Sequence, residues 1–163
     1  MTIEDDIHRI EAQERRLQFS AFDSAKAWEI ALYLRKRGEA ASLGIVVDIG
    51  LWSLPLVSFA LPGATLANYD WVRRKRNVVR EFHTSSYLAG RKLARDGKTL
   101  KDLGDLPERD YAVHGGGFPI TLKGTGVVGA VIVSGLPQRE DHALVVEALA
   151  HTLKIELAEI ALD

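Results

Sequence analysis

The run Lys123-Gly124-Thr125-Gly126-Val127-Val128-Gly129-Ala130-Val131-Ile132-Val133-Ser134-Gly135-Leu136-Pro137 constrains the fold more than any other part of this chain. Gly124 to Gly129 spells G-x-G-x-x-G, a dinucleotide-binding pattern that works only when the third glycine opens a helix whose N-terminus holds the pyrophosphate. Here Ala130-Val131-Ile132-Val133 follows instead, β-branched and closed by Ser134-Gly135. The glycines therefore belong to a hairpin turn at 123–126 and to a close-packed strand over 127–133, and neither NAD nor FAD is the expected ligand. A strand entered through so short a turn pairs antiparallel with its predecessor. That argues against a doubly wound parallel sheet, in which strand and helix must alternate.

The remaining elements agree. Apolar spacing predicts helices over 3–17 and from the Asp23-Ser24 cap to Gly38. Strands follow at Ile45 to Ile49 and Leu56 to Ala60, then helices over 68–82 and 85–95. Strand character returns at Tyr111 to His114 and Phe118 to Leu122. After the 127–133 strand, Pro137 opens a last helix that runs to about Leu162. The order predicts an α+β class, with helices covering both faces of one mainly antiparallel sheet. At 163 residues the chain suits a single domain over 1–163 with one core.

Composition removes several function classes. With 21 Lys plus Arg against 22 Asp plus Glu, the formal net charge is -1, so no global field draws the chain to nucleic acid or an anionic membrane. Cysteine is absent, which removes disulfides, thiolate catalysis and iron-sulfur clusters. No run approaches the roughly 18 apolar residues of a membrane span. The acidic start Glu4-Asp5-Asp6 is unlike a secretory signal, so a cytoplasmic location is the expectation.

Side chains at odds with their surroundings mark the candidate site. On the third helix, Lys75 falls inside the apolar stripe of Trp71, Val72, Val78, Val79 and Phe82, whereas Arg73, Arg76 and Arg80 project to the opposite, polar face. A buried ammonium needs a carboxylate partner, an escape to solvent or an anion in a cavity. On the last helix His142 lies on the core stripe, as a satisfied core residue or as a ligand contact, and Asp141 projects away from it as a first-turn acid. A second apolar strip of Leu144, Ala148 and Ile155 implies burial against another element or a subunit interface.

The run His114-Gly115-Gly116-Gly117 needs a reason, which is close approach of another backbone or a flat ligand, or else a bulge. Ser134 precedes the last helix, whose N-terminus can take an anion. Asp48 is a buried-acid candidate. Ser134, Asp141 and His142 do not form a triad, because adjacent helix residues diverge by about 100°. The histidines lack zinc-site spacing, so no metal site is expected.

These residues resemble the HbpS-like, GlcG-like family. The resemblance rests on Gly116-Gly117-Phe118-Pro119-Ile120, on Gly126 to Pro137 and on Asp141-His142, with Asn68 to Asn77 and Ser85-Ser86 matching a short cytoplasmic branch whose members are labelled haem-degrading-domain proteins. The resemblance implies a profilin-like three-layer α/β/α arrangement with a five-stranded sheet, a homo-oligomer and a tetrapyrrole such as haem as ligand. His114, His142 and His83 are then the axial candidates by chemistry alone. The expected function is an oligomeric domain binding a small anionic ligand through Lys75, His114, Gly116, Gly117, Ser134 and His142. Haem degradation at the same pocket and a protein-interaction module are the alternatives.

Overall fold

A computed structural model describes residues 2–162. Helix α1 (Ile3–Arg16) is closed by a capping box of Thr2 and Asp5, and α2 (Ser24–Ala40) by the Asp23 side chain, which accepts from the Lys26 N–H. Strands β1 (Val46–Leu51) and β2 (Leu54–Ala60) form a hairpin that turns at Trp52-Ser53, so that β2 takes in Leu54 and Pro55 ahead of the expected Leu56 to Ala60. Helices α3 (Leu66–Phe82) and α4 (Ser86–Arg95) follow, then β3 (Gly117–Leu122), β4 (Gly126–Ser134) and α5 (Gln138–Leu153).

The sheet runs β2-β1-β4-β3 with every neighbouring pair antiparallel. Strand alternation sends Val47, Ile49, Phe118, Ile120, Val131 and Val133 into one core with α2 and α5, and Val46, Ala130 and Ile132 into a second against Val72 and Val79 of α3. Helices therefore cover both faces of the sheet. A third cluster joins Ile7 and Ile10 of α1 to Tyr87 and Leu88 of α4.

Three expectations are corrected. The sheet has four strands rather than five. Among the described residues, the outer edge of β3 carries only an isolated parallel bridge, Phe19 to Leu122, in which the Phe19 N–H donates to the Thr121 carbonyl and the Lys123 N–H to that of Phe19. Residues 111–114 form no strand: the Ala112 N–H donates to the Arg74 carbonyl and Asn77 donates to the Asp110 carbonyl, so this stretch lies along α3 instead of the sheet. The last helix stops at Leu153, where Lys154 turns left-handed, and the chain continues into a 3-10 turn at Leu157–Glu159.

Candidate functional site

The side chains of interest gather where the end of β4, the start of α5, one face of α3 and the glycine run meet. Lys75 is 2% exposed. Its Nζ donates to Asp141 Oδ2 at 2.8 Å and to the Val133 carbonyl at 3.0 Å. Asp141, also buried, accepts in addition from the N–H groups of Leu136 (3.0 Å) and Gly135 (3.3 Å). The acid expected to project into solvent is thus the partner of Lys75. The loop 134–137 folds back over the first turn of α5, so the face that a free helix would expose is covered there by that loop and α3. Burial pushes the Asp141 carboxyl above its ordinary range and the Lys75 amine below its own, and each is pulled back by the other's charge.

Close packing of the glycines makes room for this pair. Gly116 sits at φ +119°, its carbonyl accepts from the Val133 N–H at 2.8 Å, and a Cβ there would stand 2.2 Å from the Val133 oxygen and 2.7 Å from Lys75 Nζ. A Cβ on Gly115 would strike the Gln138 carbonyl. Of the reasons open for the run, the protein's own backbone and the Lys75 amine fill the space. Ser86 Oγ donates to the His114 carbonyl at 2.6 Å and accepts from the Gly117 N–H at 2.9 Å, which fixes both ends of the run.

A cavity of about 160 Å³ opens on this pair, bounded by Asn68, Trp71, Lys75, His114, Ser134 and Gln138 together with the loop after β4 and Asp141. A second cavity of about 400 Å³ shares Trp71 and His114 as its wall and extends along Arg74, Leu93, Tyr111 and Val113. Arg74 stacks over the Trp71 ring at 4.3 Å, and the His114 ring meets Trp71 edge-on at 4.8 Å. Burial, with the nearby charge of Lys75, lowers the His114 pKa, so its imidazole is neutral at pH 7.

The lining is rich in hydrogen-bond donors that no protein group takes. An ammonium has three N–H bonds, and Asp141 and Val133 account for two of those on Lys75. Among the described residues, the Ser134 hydroxyl, the Trp71 indole N–H and the amide nitrogen of Gln138 have no protein acceptor, while the one carboxylate of the lining, Asp141, already accepts from Lys75, Gly135 and Leu136.

The structure brings Lys75, His114 and Ser134 to one cavity and places Gly116 against Lys75. Gly117 lies one step behind, bound to Ser86. His142 is elsewhere: it is 0% exposed, packed against Tyr87 and Phe118, with Nε2 2.8 Å from Gln13 Oε1. Because Gln13 Nε2 donates to the Ile160 carbonyl, its oxygen is left to accept, so the imidazole proton sits on Nε2 and the buried Nδ1 has no partner. Burial lowers this imidazole's pKa to about 3. The expected convergence of Lys75 and His142 on one cavity therefore does not occur. Asp48 does not pair with Lys75 either, but takes Arg76, which leaves the polar face of α3 to reach it.

Asn68, Trp71, Gln138 and Asp141 were not legible as lining residues. For Asp141 a signal existed: a lysine on an apolar stripe calls for a carboxylate, and a first-turn acid after Ser-Gly-Leu-Pro can reach back to the loop amides. Among the described residues there is no helix long and apolar enough to cross a membrane, and no cluster of three or more metal-ligating side chains of the His, Cys, Asp and Glu types.

Comparison with known proteins places this arrangement. A UPF0303 protein of Rhizobium leguminosarum bv. trifolii is 53% identical over 163 residues, covering 100% of this chain and 98% of that one. The crystal structure of the Ybr137w protein superposes with a TM-score of 0.83 at 25% identity, covering 91% of this chain and 89% of that one. A crystal structure of a PduOC:heme complex superposes with a TM-score of 0.67 at 17% identity, covering 80% and 94%, which shows a shared fold. The model of the family described as haem degrading protein HbpS-like matches residues 22–150, and the chain belongs to that family.

Proposed function

We propose that this chain is a binding domain for a small anionic ligand, a carboxylate-bearing one with a flat body, and that haem or another tetrapyrrole is the leading ligand. The observation that carries the reading is the donor-lined cavity beside Lys75. A carboxylate there would receive the third Lys75 N–H and the Ser134 hydroxyl, and charge-assisted bonds of this kind are the strong ones. The larger cavity across the Trp71 and His114 wall offers aromatic and apolar surface to the rest of the ligand. The residues present suit haem: a neutral imidazole on His114 with no ring hydrogen bond, an indole face and a carboxylate site lie together. When bound, haem would supply the iron, with His114 as its protein ligand and Lys75 holding a propionate. PduOC, which shares the fold, has been crystallised with heme. Titrating the protein with haem should give a saturable Soret shift that His114→Ala alters in position and weakens. A shift that never saturates, or that is the same in His114→Ala, would count against the reading.

A homo-oligomer is part of this proposal, on different evidence from that expected. The strip Leu144, Ala148 and Ile155 packs inside the chain's own core with α2. Free apolar surface beside a groove lies instead on α2 and β2, where Trp28 is 53% and Leu32 55% exposed next to Val57, Phe59 and Leu61. β2 is an edge strand. The Leu61 N–H donates to the Ile45 carbonyl, so the alternate residues Ser58 and Ala60 turn their backbone groups outward. Such an edge pairs readily with a second copy. Light scattering should show an oligomer that Trp28→Glu dissociates, and a monomeric parent would refute it.

A further inference from the structure

The charge balance of the cavity says how an anion could enter it. Lys75 and Asp141 are 3% and 2% exposed at the side chain and cancel each other's charge. An anion that accepts the third Lys75 N–H adds a second negative charge to the same ammonium. With N to O distances near 2.8 Å on both sides, its oxygen comes within about 5 Å of the Asp141 carboxylate. Two carboxylates sharing one cation in a buried site do not both stay ionised.

The groups around Asp141 decide which one takes a proton. From α3 it faces Lys75, while Arg74 is turned onto Trp71 and held by the Glu108 carbonyl. From the segment before β3 comes His114, and from the loop after β4 the N–H groups of Gly135 and Leu136. On α5 itself, Arg139 is paired with Asp6, Glu140 is exposed and His142 is turned to Gln13. Protonating His114 would put a cation beside Lys75, whereas protonating Asp141 removes one of the two competing anions. A neutral Asp141 keeps its acceptor oxygen on Leu136 and gains an O–H to give to the ligand.

We propose that an anion enters this cavity together with one proton, which Asp141 carries. The inference rests on the reading of the cavity as an anion site. Its consequence is a binding domain that loads under acidic conditions and releases as the pH rises.

The test titrates the full chain with acetate and with benzoate, following the shifts of the Gly116, Gly135 and Leu136 amides by NMR between pH 6 and 8. Calorimetry in two cationic buffers of different ionisation heat counts the protons. About one proton taken up per ligand is expected, with affinity falling by up to about tenfold per pH unit. His114→Gln should keep the uptake, and Asp141→Asn should bind without it at an affinity that no longer depends on pH. Binding to the parent without proton uptake would overturn the inference while leaving the anion site standing, as would uptake that His114→Gln abolishes. Failure of both carboxylates to bind would overturn the anion site itself, and this inference with it. Should Asp141→Asn not fold, the carboxyl carbon shift of bound 13C-acetate assigns the proton: an ionised acetate with one proton taken up by the parent supports the inference, and an acetate bound as the neutral acid overturns it.

Discussion

Replacing Lys75 by methionine keeps most of the side chain's apolar stem in place and removes its charge. Asp141 is then left 1% exposed with no cation in reach. Stranding one partner of a buried ion pair typically costs about 3–5 kcal/mol. Two features set where Lys75→Met falls in that range. The carboxylate keeps the Gly135 and Leu136 N–H donors, which argues for the lower end, but the Val133 carbonyl also loses its Lys75 donor, worth about 1 kcal/mol. A loss of about 3–4 kcal/mol is expected at pH 7, read as a fall in the urea midpoint at unchanged slope. The loss should shrink as the pH is lowered, because the Asp141 carboxyl, already pushed up by burial and now without its ammonium, takes a proton and ceases to be a buried charge. Lys75→Met/Asp141→Asn should recover much of the difference, since removing both charges is far cheaper than removing one. A Lys75→Met protein within about 1 kcal/mol of the parent would refute the reasoning, as would a double variant no more stable than the single one.

Other consequences can be measured in the same way. His142 takes no proton in the native state until the pH nears 3, but takes one in the unfolded chain near its ordinary 6.5. Its contribution is therefore complete above 6.5 and lost as the pH falls toward 3, by up to about 1.4 kcal/mol per pH unit, and His142→Gln should remove that slope from the stability profile. Gly116→Ala forces a Cβ onto the Val133 oxygen at a left-handed φ and should cost roughly 3 kcal/mol or more, whereas Gly124→Ala, left-handed but with open space around it, should cost about 1 kcal/mol. Because Gly124 to Gly129 form a turn and the start of β4, millimolar NAD or FAD should leave the melting temperature unchanged; a rise would show binding to the folded state.

What could be read in advance followed from local periodicity. The turn at 123–126, the β4 strand and the Asp23 cap depend on neighbours in sequence, and each appears where its residues point. Lys75 stood out because a charge on an apolar stripe is anomalous whatever packs against it. Most of the misplacements came from contacts that treating each segment as isolated leaves out. Tyr111 to His114 has strand-forming residues, but the sheet edge was less available to it than the carbonyls and amides along α3. Projection around a helix axis sent Asp141 outward, since it treats the helix as isolated and takes no account of the loop that closes over its first turn. Arg76 was assigned to solvent for the same reason, although Asp48 lies within its reach on the sheet face that α3 covers. The second strip on α5 did signal burial, and of the two outcomes it left open, another element or a subunit interface, the covering element is one of the same chain.

The central claim is that a ligand carboxylate sits at Lys75 while the ligand's body lies against Trp71 and His114. Comparing haem with its dimethyl ester in the same optical titration tests this most directly, because esterification removes the carboxylate charge and leaves the ring and iron in place. The account predicts that the ester binds the parent protein at least about tenfold more weakly than haem, a difference of about 1.4 kcal/mol, and that Lys75→Met binds the two alike. Equal affinity of the parent for haem and its ester would contradict it.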